Sequence, residues 1–176
     1  MADQATLVVI KPDAMQRGLT GAVLARLDTL QLEIIGAKVM PVSQELAEAH
    51  YQHIREKPFF RETVDHLRGK LHGVSAVLAF VYWGPDAVER VRMLTGATNP
   101  EKADPRSIRG SLGRMTTSGL MENVLHTSSD PADAQREIRL WFKPRELLRD
   151  PGFAMPQESS SACCGHQTAE SHARRR

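Results

Sequence analysis

The sequence predicts an α+β domain built as a split βαβ arrangement, an antiparallel sheet with helices on one face. Three observations predict it. β-Branched runs alternate with amphipathic stripes along residues 1–150. Those segments follow the order β-α-β, short helices, β-α, loop, β-α. The chain has 176 residues, 41% hydrophobic and 25% charged, which suits one globular core and excludes wholesale disorder.

Each element has a local reason. Thr6 to Lys11 is a short β-branched run, the pattern of a buried strand. Leu19, Val23, Leu27 and Leu30 recur at helical spacing and form an apolar stripe. Glu33 to Met40 is strand-like, and Leu46 to Ile54 and Phe60 to Leu67 are short helices. Ser75 to Trp83 is a strand. Pro85 to Leu94 is a helix that opens on proline and sets Val88, Val91 and Leu94 on one face. Thr95 to Arg109, with Gly96, Asn99, Pro100 and Pro105, is loop. Asn123 to His126 ends a strand. Asp130-Pro131-Ala132-Asp133 starts a helix with a capping carboxylate, proline in the first turn and acidic residues against the dipole. Ala134, Ile138 and Trp141 give that helix its apolar face, and Lys143-Pro144 ends it.

Composition changes at Asp150. Residues 151–176 are rich in Ser, Ala and Gly and are expected to form a mobile tail beside a domain spanning 1–150. Both cysteines, Cys163 and Cys164, lie in this tail. They are adjacent and lack zinc-ligand spacing, so Cys163-Cys164-Gly165-His166 reads as incidental composition. Residues 1–150 contain no cysteine, hence no disulfide and no thiolate nucleophile, which suits an intracellular protein.

Several function classes drop out. A net charge of +2 gives no electrostatic case for nucleic acid or a membrane surface. The apolar stretch from Val74 to Trp83, about ten residues, is too short to span a bilayer. The N-terminal segment does not read as a signal peptide. No P-loop, G-x-G-x-x-G, H-E-x-x-H or G-x-S-x-G occurs, nor the aromatic motif of an RNA-recognition sheet.

Single polar residues at element ends remain. His126 lies at a strand end before the capped helix, where free N–H groups favour phosphate. Glu137, eleven residues on, is placed to hold one ring nitrogen and leave the other as nucleophile. The same spacing also suits a surface or capping histidine. Lys11, Arg92 and Arg109 suit phosphate oxygens, and each alone equally describes a solvated charge. Phe59-Phe60 fits a core position or a stacking platform.

Taken together these segments resemble the nucleoside diphosphate kinase family over about residues 5–149. The resemblance rests on Val8 to Gly21 (VVIKPDAMQRGLTG), His50-Tyr51, Lys57 to Phe60 (KPFF) and Arg92 to Pro100 (RMLTGATNP). It continues through Ser107 to Gly110 (SIRG), Asn123 to His126 (NVLH) and Arg136 to Phe142 (REIRLWF). It implies a ferredoxin-like four-stranded antiparallel sheet. It implies reversible ping-pong transfer of a γ-phosphoryl group from a nucleoside triphosphate, typically ATP, to a nucleoside diphosphate through a phosphohistidine. By resemblance His126 is the acceptor, Glu137 orients it, and Ser128 and Lys11 assist. Lys11, Tyr51, Arg92, Thr98 and Arg109 gather round the phosphates, Asn123 bonds the sugar and Phe59 stacks on the base. No residue is expected to ligate a metal directly, since Mg²⁺ arrives with the nucleotide. A cytoplasmic hexamer or tetramer is implied, with no membrane or nucleic-acid partner.

Three departures stand out. The family's G-S-D after the histidine is Thr127-Ser128-Ser129, and its G-R-N is Met121-Glu122-Asn123. Between Arg109 and His126 there are about four extra residues, falling in Ser111 to Leu120. Phosphotransfer is expected to survive these changes. A nucleotide-binding regulator and a nucleic-acid module are the rival readings.

Overall fold

The computed structural model describes residues 2–156 of the chain. Strand β1 (Asp3–Ile10) is buried from Ala5 onward, as an unbroken apolar run requires. Lys11-Pro12-Asp13 turns the chain into α1 (Pro12–Gln16), and α2 (Thr20–Asp28) returns it to β2 (Glu33–Met40). Next comes α3 (Gln44–His50), capped by Ser43, whose Oγ accepts the Leu46 N–H at 3.1 Å. A 3₁₀ turn at Gln52–Ile54 and α4 (Phe60–Leu67) lead to β3 (Val77–Pro85) and α5 (Ala87–Thr95). Then follow a 3₁₀ turn at Pro100–Lys102, α6 (Ile108–Leu112) and a small hairpin of β4 (Arg114–Met115) with β5 (Met121–Glu122). β6 (Leu125–Thr127) and α7 (Pro131–Trp141) complete the domain, with a 3₁₀ turn at Pro144–Glu146 behind them.

The main sheet has the order β2-β3-β1-β6, every neighbour antiparallel. β1 and β2 both pair with β3, which is inserted between them, so the βαβ unit is split as expected. The helices, however, cover both faces, not one. Leu7, Val9, Val77, Ala79 and Val81 pack with Val64, Ile138 and Trp141. The alternate residues Val8, Ile10, Phe80 and Tyr82 pack with Val23, Leu27, Val91 and Ile108. Side chains alternate across a strand, so these clusters lie on opposite faces. A half-solvated sheet would need polar residues at every second position of β1, and there are none between Leu7 and Ile10.

Some boundaries differ from expectation. Pro85 closes β3 opposite Asp3, and the helix starts after Asp86, which sits at φ 49°. The expected loop from Thr95 contains a 3₁₀ turn and the start of α6, capped by Ser107 Oγ accepting the Gly110 N–H at 3.1 Å. The expected helix to Ile54 breaks at Tyr51, where a 3₁₀ turn takes over. The chain does not leave the body at Asp150. Pro151 is buried, Phe153 and Met155 pack against the core, and Arg139 Nε donates to Ala154 O at 2.7 Å. Cys163, Cys164 and the arginine-rich end lie outside the described residues.

Candidate active site

Register brings the chemistry together. β6 pairs with β1 so that His126 lies opposite Val9, two residues before Lys11. α7 turns Ala134, Glu137, Ile138 and Trp141 toward the sheet, which sets a carboxylate in an otherwise apolar stripe. Glu137 Oε2 is 2.9 Å from His126 Nε2 and accepts the Ser128 Oγ–H at 2.8 Å. Ser128 Oγ in turn accepts the Leu7 N–H at 3.2 Å. An ionised carboxylate only accepts, so Nε2 carries the ring proton and Nδ1 keeps its lone pair. Burial, with the charges of Lys11 and Arg109, holds His126 well below the usual histidine range, so the ring is neutral at neutral pH. Burial pushes the Glu137 carboxyl up, and Ser128 and Arg136 pull against that.

A cleft of about 510 Å³ opens over this pair. Its walls include Lys11, Tyr51, Phe59, Arg92, Thr98, Arg109, Asn123, His126 and Glu137. Ser128 is not among them: it is buried behind Glu137 and reaches the cleft only through that carboxylate. Lys11, 6% exposed, donates to Asn123 Oδ1 at 2.7 Å, and burial pulls its pKa down to about 8. It is therefore a cation at neutral pH that loses its proton early. Arg109 donates to Gly96 O at 3.1 Å and Leu125 O at 2.9 Å, and burial lowers it to about 10. Its Nε is a buried donor with no acceptor among the described residues. Burial keeps the Tyr51 phenol protonated. Arg92 and Thr98 are exposed, and Phe59 stands at the mouth, 50% exposed.

The N-terminus of α7 is not the phosphate cradle that the sequence order suggested. The cleft takes in Ser129 but neither Asp130 nor Pro131, and Asp130 Oδ1 already accepts the Asp133 N–H at 2.8 Å. His126 is held from the second turn of the helix, at Glu137. Basic side chains from the turn after β1, from α5 and from α6 supply the positive surface instead.

Sequence reasoning missed the groups behind the site. Trp141 Nε1 donates to His50 Nδ1 at 3.1 Å, and the His50 ring lies edge-to-face on His126 with centroids 4.2 Å apart. His50, His126 and Glu137 bring ligand atoms within 4.8 Å of one another. An indole only donates, so neutral His50 carries its proton on Nε2, which makes that atom a donor and a poor metal ligand. Asp13 was also missed: Oδ2 accepts the Val124 N–H at 2.9 Å and Oδ1 lies 3.1 Å from His66 Nε2. It holds Val124 at φ 72°, an unusual conformation for a β-branched residue that costs about 1–3 kcal/mol. His50 and Asp13 stand beside Tyr51 and Lys11 in the H-Y and K-P-D segments, the one signal that could have found them.

A family model for nucleoside diphosphate kinase matches residues 4–147. The chain belongs to that family. Nucleoside diphosphate kinase from Pyrococcus horikoshii is 44% identical over 149 residues, covering 85% of this chain and 91% of its own length. That from Thermus thermophilus is 47% identical over 143 residues, covering 81% and 98%. Among solved structures, the Borrelia burgdorferi enzyme, a transition-state mimic with vanadate and ADP, superposes with a TM-score of 0.75 at 34% identity, covering 84% and 92%. The Halobacterium salinarum enzyme in complex with CDP gives 0.75 at 39% identity, covering 84% and 93%. The chain is thus a nucleoside diphosphate kinase by family, with the family's fold and the family's phosphoryl transfer between nucleotides.

Proposed function

We propose that His126 carries the phosphoryl group between the two nucleotides. The observation that supports it most is the Glu137–Nε2 contact of 2.9 Å, which leaves Nδ1 as the nucleophile in a cleft with Lys11, Arg92 and Arg109. A nucleoside triphosphate, typically ATP, enters with its γ-phosphorus in line with Nδ1. The Nδ1–P bond forms as the bond from γ-phosphorus to the β-bridging oxygen breaks, and the diphosphate leaves with that electron pair. A second diphosphate then attacks the phosphohistidine through its terminal phosphate oxygen and restores the free ring. Throughout, Nε2–H stays on Glu137, which Ser128 and Arg136 keep oriented. Lys11, Tyr51, Arg92, Thr98 and Arg109 bind the phosphates, Asn123 the sugar hydroxyl, and Phe59 the face of any base.

The residues present suit a Mg²⁺ ion that comes in on the nucleotide. Among the described residues the only carboxylates on the cleft are Glu62 and Glu137, and Glu137 is already engaged. When bound, the ion would supply positive charge to the transferring phosphoryl group. We also propose a hexamer or tetramer. β2 is an edge strand that leaves Ile34 37% and Val39 65% exposed, a surface suited to pairing with another copy. Light scattering that returned a monomer would remove this part.

The test is labelling. The protein is incubated with γ-labelled ATP and Mg²⁺, then chased with unlabelled GDP. Acid-labile, base-stable label that moves into GTP is the expected result. Folded protein that binds ADP but takes no label would instead be the nucleotide-binding regulator.

A further inference from the structure

Four buried polar side chains form a cluster at the cleft wall, three behind it and His66 in it, and the proposed phosphoryl transfer gives them no part. Asp13, His66, His72 and Glu122 are each at most 6% exposed. Glu122 Oε2 accepts from Arg114 Nε at 2.6 Å and lies 3.7 Å from Arg17 Nη1, while its Oε1 lies 3.3 Å from His72 Nε2. The His72 and His66 rings are 4.7 Å apart, and His66 leads to Asp13 and so to the Val124 N–H. This chain of contacts leaves the backbone at 122 and rejoins it at 124, bracketing Asn123 from behind. From the front, Asn123 is held by Lys11 Nζ at 2.7 Å and donates to Thr98 O at 3.0 Å.

The bracket is fitted to this chain's own departures from the family. The extra residues between Arg109 and His126 fold into the β4–β5 hairpin, in which Arg114 faces Glu122 across the strands. The turn is closed by Thr116, whose N–H donates to Leu120 O at 2.9 Å and whose Oγ1 accepts the Leu120 N–H at 2.9 Å. Met115, Gly119, Leu120 and Met121 present this hairpin to the cleft. An arginine at 122 would meet Arg114 and Arg17 as like charges and could not accept from His72. Glutamate answers all three.

We infer that Glu122 is a positioning residue for the nucleotide. Through His72 and Arg114 it fixes Asn123 and the Leu120–Met121 wall, and so sets nucleotide affinity and not the rate of phosphoryl transfer. The inference rests on Asn123 being a nucleotide contact, as proposed above.

Two quantities test it: the dissociation constant of ADP, by calorimetry, and the rate of His126 phosphorylation at saturating MgATP. Glu122→Gln is expected to weaken ADP about tenfold. It should leave the saturated rate within about twofold. Glu122→Asp should recover most of the affinity. His72→Gln should weaken ADP in the same direction, and adding it to Glu122→Gln should cost little more, because the two act in series. If Glu122→Gln does not fold, Arg114→Gln carries the test: its side chain is half-exposed, and a loss of about threefold is expected. Unchanged ADP affinity in the folded variant, or a saturated rate that falls as far as affinity, overturns the inference. Asn123→Ala separates the two levels. If it weakens ADP while Glu122→Gln does not, the inference alone falls. If neither does, the reading of Asn123 falls with it.

Discussion

His126→Ala is expected to lower phosphoryl transfer by at least about 10⁴-fold, with ADP affinity within a few-fold of the parent. The asymmetry follows from the division of labour. In the proposed mechanism His126 supplies the atom that forms the new bond to phosphorus. The groups proposed to bind phosphate, sugar and base are separate and remain. Two neighbouring cleft groups cannot replace the nucleophile: Tyr51 is kept protonated, and Lys11 is a cation at neutral pH. Glu137→Gln makes the finer test. A glutamine amide presents either a carbonyl or an NH₂ to Nε2, so it no longer specifies which ring nitrogen holds the proton. A loss of about 10²-fold or more in the phosphorylation step is expected, with ADP affinity unchanged. Rapid-quench measurement of labelled protein after one mixing with ATP reads both variants. Label persisting in His126→Ala would move the acceptor elsewhere. A Glu137→Gln variant as fast as the parent would leave the tautomer argument without effect.

Much of the candidate site is legible in sequence because it lies at or near element ends, where polar residues interrupt apolar runs. Lys11 directly follows β1, Arg109 sits in a short helix after a Pro-rich stretch, and His126 lies on a strand of three residues. The strands and the α7 cap were legible for a similar reason: their patterns are local. Two-faced burial is also written in β1, since Leu7 to Ile10 leaves no polar face, although one-sided burial is the commoner arrangement of an antiparallel sheet. What stayed hidden was pairwise. Trp141 with His50 is 91 residues apart, and Asp13 with Val124 is 111 apart. Nothing in one local window says that a tryptophan fixes a histidine's tautomer. Nor does it say that an aspartate holds a β-branched residue in a left-handed conformation. The hairpin was hidden differently: an insertion is visible in sequence, whereas the Arg114–Glu122 match shows only once the strands are in register.

The buried histidines make a second large effect. The protein is expected to be most stable from about pH 7 upward and to lose stability steeply as pH falls below the ordinary histidine value near 6.5. His50 and His126 are held well below that value and His66 below it, in each case chiefly by burial. The unfolded chain takes up a proton on each near 6.5 while the native state does not. Stability therefore rises with pH through this window and is lost on going down. Each such group contributes about 1.4 kcal/mol per pH unit at most. Glu137 works in the opposite sense: burial raises its pKa, so its native form binds a proton before the unfolded one does, and it offsets part of one histidine. Asp13 and Glu122, both lowered, stabilise the fold above the ordinary carboxylate range and lose that stabilisation only as pH falls through and below it. Between pH 6.5 and 5 the histidines therefore dominate, and Tm is expected to drop by roughly 10 °C. Urea unfolding at pH 6 should take up about two protons, read with a pH indicator in weak buffer. A Tm that stays level from pH 7 to 5 would mean that these rings are already solvated or charged in the native state. It would then also remove the neutral, lone-pair-bearing His126 on which the proposed phosphoryl-transfer chemistry depends.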